Sequence, residues 1–368
     1  MKRLIVLILF LFVFAMPVSA KETLSDDFNE DFGLNGLEEA LPYDVQEYMK
    51  DREIEAGETS WIKNFSFSKI IKDIWDILKS KITLPLSTMA LILGVILLSS
   101  SLTAIGNSAS AKTADFAVTA VSAIVITTPI FEVVNSACEI MKTASVFMMA
   151  FVPVFATVIV ANGQIATGSS MGSLLLGASQ VVQMVASHLV IPLMCGYLSV
   201  SIASGVSPIL SKTTLSDSIK KLSFWIMSFV TTIFLGILSI QTTINASADS
   251  LSIKTAKFVI GSSVPLAGTV LAEALTTVTA SLGILKTTVA IYGVVACVVI
   301  FLPLLIELII WRFCLNVTAI ASDVLSVSNI SKLLKAVDMA ISVLCGIILL
   351  SMALFVISLT VVVSVGKV

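Results

Sequence analysis

Apolar residues run along this chain in long blocks with short polar interruptions. From residue 86 onward, seven blocks are long enough to cross a bilayer as helices: about 86–106, 116–135, 143–162, 174–203, 222–244, 287–311 and 339–365. Each meets or approaches the ~20 apolar residues that a helical span needs. Glu132 shortens the apolar core of the second. The fourth must tilt, kink or overrun the bilayer, and Pro192 supplies a kink. Residues 258–285 form an eighth apolar region of another kind, interrupted by Gly261, Pro265 and Gly268 and carrying the acid Glu273. It either crosses or dips in as a re-entrant hairpin, which is tolerable only where protein or water satisfies its backbone. Residues 313–336 mix Asp323, Lys332 and Lys335 into the pattern and read as a surface helix. The expected fold class is all-α: a polytopic integral membrane protein whose domain 83–368 holds seven or eight transmembrane helices.

The pattern before residue 83 has three parts. Lys2 and Arg3, the apolar run Leu4–Ala15, the break at Pro17 and the small residues around Ala20 describe a signal peptide over residues 1–20, with cleavage after Ala20. An uncleaved anchor is the alternative. Residues 21–60 hold thirteen acids against Lys21, Lys50 and Arg52. With few apolar positions they read as a flexible extracytoplasmic leader, either solvated or a partner's binding segment. Residues 61–82 turn basic through Lys63, Lys69, Lys72, Lys79 and Lys81. Phe67, Ile70, Ile71, Ile74, Trp75, Ile77, Leu78 and Ile82 give them one broad apolar helical face. A basic amphipathic helix beside a membrane lies in the interface with its lysines toward anionic head groups, or packs on its own protein. A cleaved signal places 21–85 outside, yet lysine-rich segments prefer the cytoplasm, so the loop topology stays open.

Composition agrees with a membrane body. Of the 368 residues, 57% are hydrophobic and 12% charged, against about 45–50% and about 25% in soluble domains. The five cysteines lie in or beside apolar runs, without metal-like spacing, and His188 is the sole histidine. No nucleotide-binding loop, metalloprotease helix or nucleophile elbow is present, and GSSMGS (168–173) lacks the lysine of a phosphate loop. No enzyme activity and no cofactor are expected.

Small residues recur four apart at Gly168 and Gly172, and at Ser173 and Gly177. That spacing lets helices approach closely in lipid, either within the bundle or between subunits. Charges within or beside apolar runs are few: Glu132, Glu139, Glu273, Glu307, Arg312 and Asp338. Glu273, with Gly261, Pro265 and Gly268, forms the candidate pore or subunit-contact element; the alternative is an acid that reaches the interface. A shift of 174 residues lays Gly94 on Gly268, Lys112 on Lys286 and Pro129 on Pro303, a faint internal duplication of the sort transporters use.

Two stretches, FMMAFVPVFATVIVANG (147–163) and QTTINASADSLSIKTAKFVIGSSVPLAGTVLAEAL (241–275), carry more polar, glycine and proline detail than generic spans. With the leader and lead-in helix, they make the chain resemble the stage III sporulation protein AE family of endospore-forming bacteria. The resemblance implies a multi-pass protein of the mother-cell membrane surrounding the forespore. It implies a scaffold or conduit subunit of a channel-like, secretion-related complex required for forespore development. The partners it implies are the sister stage III A-group membrane proteins, an ATPase among them, and stage II sporulation protein Q of the forespore. It defines no catalytic residues. The alternative from the residues alone is an autonomous secondary transporter or channel for a small solute.

Overall fold

The structure, a computed structural model, describes residues 32–58, 61, 67–105, 108–206, 214–263 and 268–364. The signal peptide and Pro265 lie outside the described residues. The described residues form helices without strands, as backbone in lipid requires when every N–H and C=O must pair within its own segment. Two short helices come first, α1 (Asn35–Glu39) and α2 (Tyr43–Lys50), then α3 (Phe67–Lys81) and α4 (Thr83–Ile105). The body follows: α5 (Ser108–Ala161), α6 (Ile165–Val185), α7 (Ile191–Val206), α8 (Thr214–Ser263), α9 (Gly268–Val324) and α10 (Ser328–Ser364). Six stretches of these helices are long and apolar enough to cross a membrane.

Six long helices carry the seven or eight expected segments because several share a helix. Segments 116–135 and 143–162 both lie on α5, which runs 54 residues without a break. The polar Glu132, Asn135, Glu139 and Lys142 between them are exposed along one stripe, while the opposite side of α5 stays buried. A local change in polarity on one face does not end a helix; only a capping or breaking signal does. Residues 258–285 are likewise not one unit but the end of α8 and the start of α9. The expected surface helix 313–336 divides at Leu325, its first part completing α9 and its second opening α10. Segment 174–203 contains a π-helical turn at Ala186–Val190. Pro192, which has no N–H to give the carbonyl four residues back, follows directly. The 174-residue shift pairs α5 with α9, each with a proline inside, but it does not align their boundaries.

The bundle is antiparallel by hairpins. Between α5 and α6, Gln180 donates to Ser145 at 3.4 Å, and the Cys138 thiol of α5 lies 3.9 Å from the Ser187 hydroxyl in the π-helical turn. Tyr197 on α7 donates to the Ala336 carbonyl of α10 at 3.2 Å. On α9, Gly293 gives Phe151 room: a Cβ there would come within 2.4 Å of a ring that Phe147 and Phe155 already flank at 5.4 Å. Two ion pairs set a polar level across the body: Lys81–Glu307 at 2.9 Å joins α3 to α9, and Arg312–Asp338 at 3.1 Å joins α9 to α10.

The expectation of a flexible leader does not hold for residues 32–58. Leu34, Leu37, Leu41, Val45, Met49 and Ile54 are all buried in the cluster that includes the bundle core, and Trp61 joins them. Their spacing is helical, so a few apolar positions still make a continuous face. Glu38, Glu39, Asp44 and Glu47 occupy the exposed side. Helix α1 touches α5, and α2 touches α9. Asp73 of α3 ties the leader down: it pairs with Arg52 and accepts from the Tyr48 hydroxyl at 3.0 Å. Burial pushes the Tyr48 hydroxyl up to about 12, with Arg52 pulling it down and Asp73 pushing it up, so it stays a donor at neutral pH. Helix α3 spends its apolar side on the same body. Ile74, Ile77, Leu78 and Ile82 pack against Ile306, Ile310 and Cys314 of α9.

Leu37 is fully buried. Leu37→Ala should therefore cost about 2–5 kcal/mol of leader docking and expose Lys50 and Arg52 to trypsin. Limited proteolysis of the purified protein reads this. Equal cleavage of wild type and variant would mean the leader is not held.

Candidate functional site

The polar groups of the body gather where α5 turns into α6. Residues Asn162, Gly163 and Gln164 make the reversal. Gly163 sits at φ +83, a left-handed conformation that glycine adopts without strain. The N–H of Gln164 reaches back to the Ile159 carbonyl at 3.2 Å, and that of Gly163 to Val160 at 2.9 Å. These two bonds make the glycine-terminated helix ending. The same form, with Glu53 and Ser326 in the left-handed position, closes α2 and joins α9 to α10.

The new helix α6 starts with free N–H groups and no side-chain cap of its own. A residue 83 positions away supplies the acceptor. One oxygen of the Asp249 carboxylate on α8 takes the Ala166 N–H at 2.8 Å, and the other takes the Thr167 N–H at 3.0 Å. A carboxylate at a helix N-terminus is favoured twice, by hydrogen bonds and by the helix dipole. One turn earlier on α8, Asn245 donates to the Ser170 hydroxyl at 2.6 Å and accepts from Gln241 at 3.2 Å.

Helix α9 closes the site from the other side. Lys286 is 3% exposed, and its ammonium donates to the Gln164 side-chain oxygen at 2.7 Å. Gly283, one turn before it, lies against the Asn162 amide. Asp249 is also 3% exposed, so the site buries one carboxylate and one ammonium, each met by hydrogen bonds from the α5–α6 turn and the start of α6. An isolated buried charge costs several kcal/mol. The buried Asn162 carbonyl oxygen and Thr167 hydroxyl have no hydrogen-bond partner among the described residues. The arrangement can lock three helices in register and holds polar capacity in reserve.

The residues singled out from sequence lie elsewhere. Gly261 is near the end of α8, Gly268 opens α9, and Glu273 is exposed on α9. A Cβ on Gly168 would meet Val160 at 2.4 Å and the Ala156 carbonyl at 2.9 Å, and one on Gly172 would meet the Ala156 Cβ at 3.2 Å. Both therefore face α5 at close approach, whereas Gly177 has open space around it. Asp249, Lys286, Asn245 and Gln164 were not chosen from sequence, although Asp249, Asn245 and the Asn-Gly pair lie inside the two stretches that carry the resemblance.

Asp249→Ala leaves two N–H groups of a buried helix start without their acceptor. The expected loss is about 3 kcal/mol or more. Asp249→Asn keeps an acceptor and should lose less, and Glu273→Gln at an exposed position should change little. Thermal unfolding in mild detergent ranks the three. A Glu273→Gln midpoint as low as that of Asp249→Ala would remove the structural role argued for Asp249.

Comparison with known proteins agrees with these features. A family model described as stage III sporulation protein AE matches residues 43–366. Stage III sporulation protein AE of Bacillus subtilis (strain 168) is 24% identical over 234 residues, covering 64% of this chain and 59% of that protein. The match thus spans about three-fifths of the relative's length. No solved structure matches the chain. The family match runs from α2 through the Asn162–Gln164 turn, Asp249 and Lys286 to the last turn of α10, and the chain belongs to the stage III sporulation protein AE family.

Proposed function

We propose that this sporulation membrane protein is a subunit of a channel-like, secretion-related complex linking mother cell and forespore. It sits in the mother-cell membrane that surrounds the forespore and acts there as scaffold or conduit. The observation that supports this is the breadth of the family match: it takes in the helical body from end to end rather than one element. Neither the family's name nor the relative's is that of an enzyme. With no nucleotide-binding motif in the sequence, energy for transport would come from an ATPase among the sister stage III A-group proteins. Stage II sporulation protein Q is the partner on the forespore side. Cleavage after Ala20 would place the acidic leader on the side facing it.

Affinity purification from sporulating cells in mild detergent tests the reading. Sister stage III A-group proteins should co-elute with this chain. Recovery of the chain alone, with those proteins present in the lysate, would count against it. In the same cells Glu273→Gln should lower spore yield while the protein still accumulates, because an exposed acid on an apolar arm is kept for a contact or a polar path. Normal yield with both Glu273→Gln and Glu273→Ala would remove that role.

A second reading, an autonomous transporter, is favoured by the buried Asp249 and Lys286. Solute uptake by the purified chain in vesicles, lost in Lys286→Met, would support it.

A further inference from the structure

Beyond the level of the Asn162–Gln164 turn, two helix arms continue without the rest of the bundle. At 1.5 Å per residue, α8 runs on for about 21 Å from Asp249 to Ser263, and α9 comes in over about 27 Å from Gly268 to Lys286. Helices α5 and α6 stop at the turn. No described side chain between Leu251 and Val259, or between Leu271 and Ala280, is buried. Phe258 is 75% exposed and Leu251 67%. Helices draw most of their stability from packing an apolar face, and these two bury little against each other. In water the apolar side chains lack cover. In lipid the charges do.

The charges indicate what covers the arms. Lys254 and Lys257 stand on the α8 arm and Glu273 on the α9 arm. None of the three belongs to an ion pair among the described residues. The arms therefore present opposite signs. Their shapes are complementary as well. Leu251, Lys254 and Phe258 share one face of α8 as a ridge of large side chains, whereas Glu273, Thr277 and Ala280 share a face of α9 with mostly small ones. One copy's basic ridge suits another copy's acidic groove.

We propose that these arms are a self-association surface, the α8 arm of one copy packing on the α9 arm of the next. Such a contact is heterologous, so it repeats from copy to copy until the assembly closes into a ring. Each interface joins the Lys254 and Lys257 ammonium groups to the neighbour's Glu273 carboxylate and covers Leu251 and Phe258. The inference goes beyond the sporulation role and is independent of it, because the contact needs no other protein.

Purified full-length protein in neutral detergent provides the test, read by native mass spectrometry and light scattering. Wild type should be oligomeric. Glu273→Lys leaves both arms basic, and Lys254→Glu with Lys257→Glu leaves both arms acidic. Each of these variants should shift to monomer with its helical content by circular dichroism unchanged, since all three positions avoid the core. An equimolar mixture of the two variants should regain the oligomer, because the basic arms of one fit the acidic arms of the other. A pairing inside one chain cannot be restored by mixing. Monomeric wild type, or a mixture that stays monomeric, would overturn the proposal. So would variants that associate as wild type does. Wild type that associates only after a sister membrane protein is added would assign the arms to that protein instead. Failure of this test leaves co-purification from sporulating cells unaffected, and the converse also holds.

Discussion

Reversing a chain inside an apolar bundle leaves the first N–H groups of the new helix with nothing to bond. Here the Asp249 carboxylate meets that need for α6 from a helix more than eighty residues further along. The consequences spread outward. A second buried charge, the Lys286 ammonium, comes to the same turn from α9. A buried ammonium calls for an acceptor, which Gln164 supplies from the turn itself. The turn, α8 and α9 are therefore fixed at one level by groups that would each be costly alone. Apolar packing has no such preference, since one leucine contact replaces another at small cost. The polar site gives register to helices that would otherwise slide.

A second polar level faces the first along α9. From Lys286 to Glu307 the helix rises about 32 Å, close to the ~30 Å of a bilayer's hydrocarbon core. Glu307 meets Lys81 of α3, and Arg312 meets Asp338 just beyond. On α8 the exposed Trp225, Phe229, Ile233, Ile237, Ile240 and Ile244 fill the interval between Lys221 and Asn245. The helices do not stop at these levels. Helix α8 runs on for about 21 Å past Asp249 to Ser263.

Helix type and membrane class were legible in the sequence, because apolar runs of span length have few other uses. The number of helices was not, because polarity was read as punctuation. Glu132 and Glu139 interrupt an apolar run without interrupting a helix, since one solvated stripe suffices to hold them. The leader was misread for the converse reason. Leu34, Leu37, Leu41 and Val45 are few, but they share one face. The site escaped because its members are scattered over three regions. A lone Asp249 in a serine-rich stretch looks like a solvated acid until the N-terminus of α6 is placed against it. Lys286 opens an apolar run and reads as a flank until Gln164 meets it. The Asn-Gly pair at 162–163 gave a local signal for a turn, and its glycine does terminate the helix there.

The leader's position has a consequence for how the protein is made. Leu34 and Leu37 sit in the cluster that holds the core of α9, and α2 touches α9. The surface that receives the first helices is thus synthesised roughly 250 residues later, an interval of roughly 13–50 s at ribosomal rates of about 5–20 residues per second. Throughout that interval the leader has no completed binding face. Its docking is then a late event in biogenesis, and an undocked leader marks a chain whose α9 has yet to arrive.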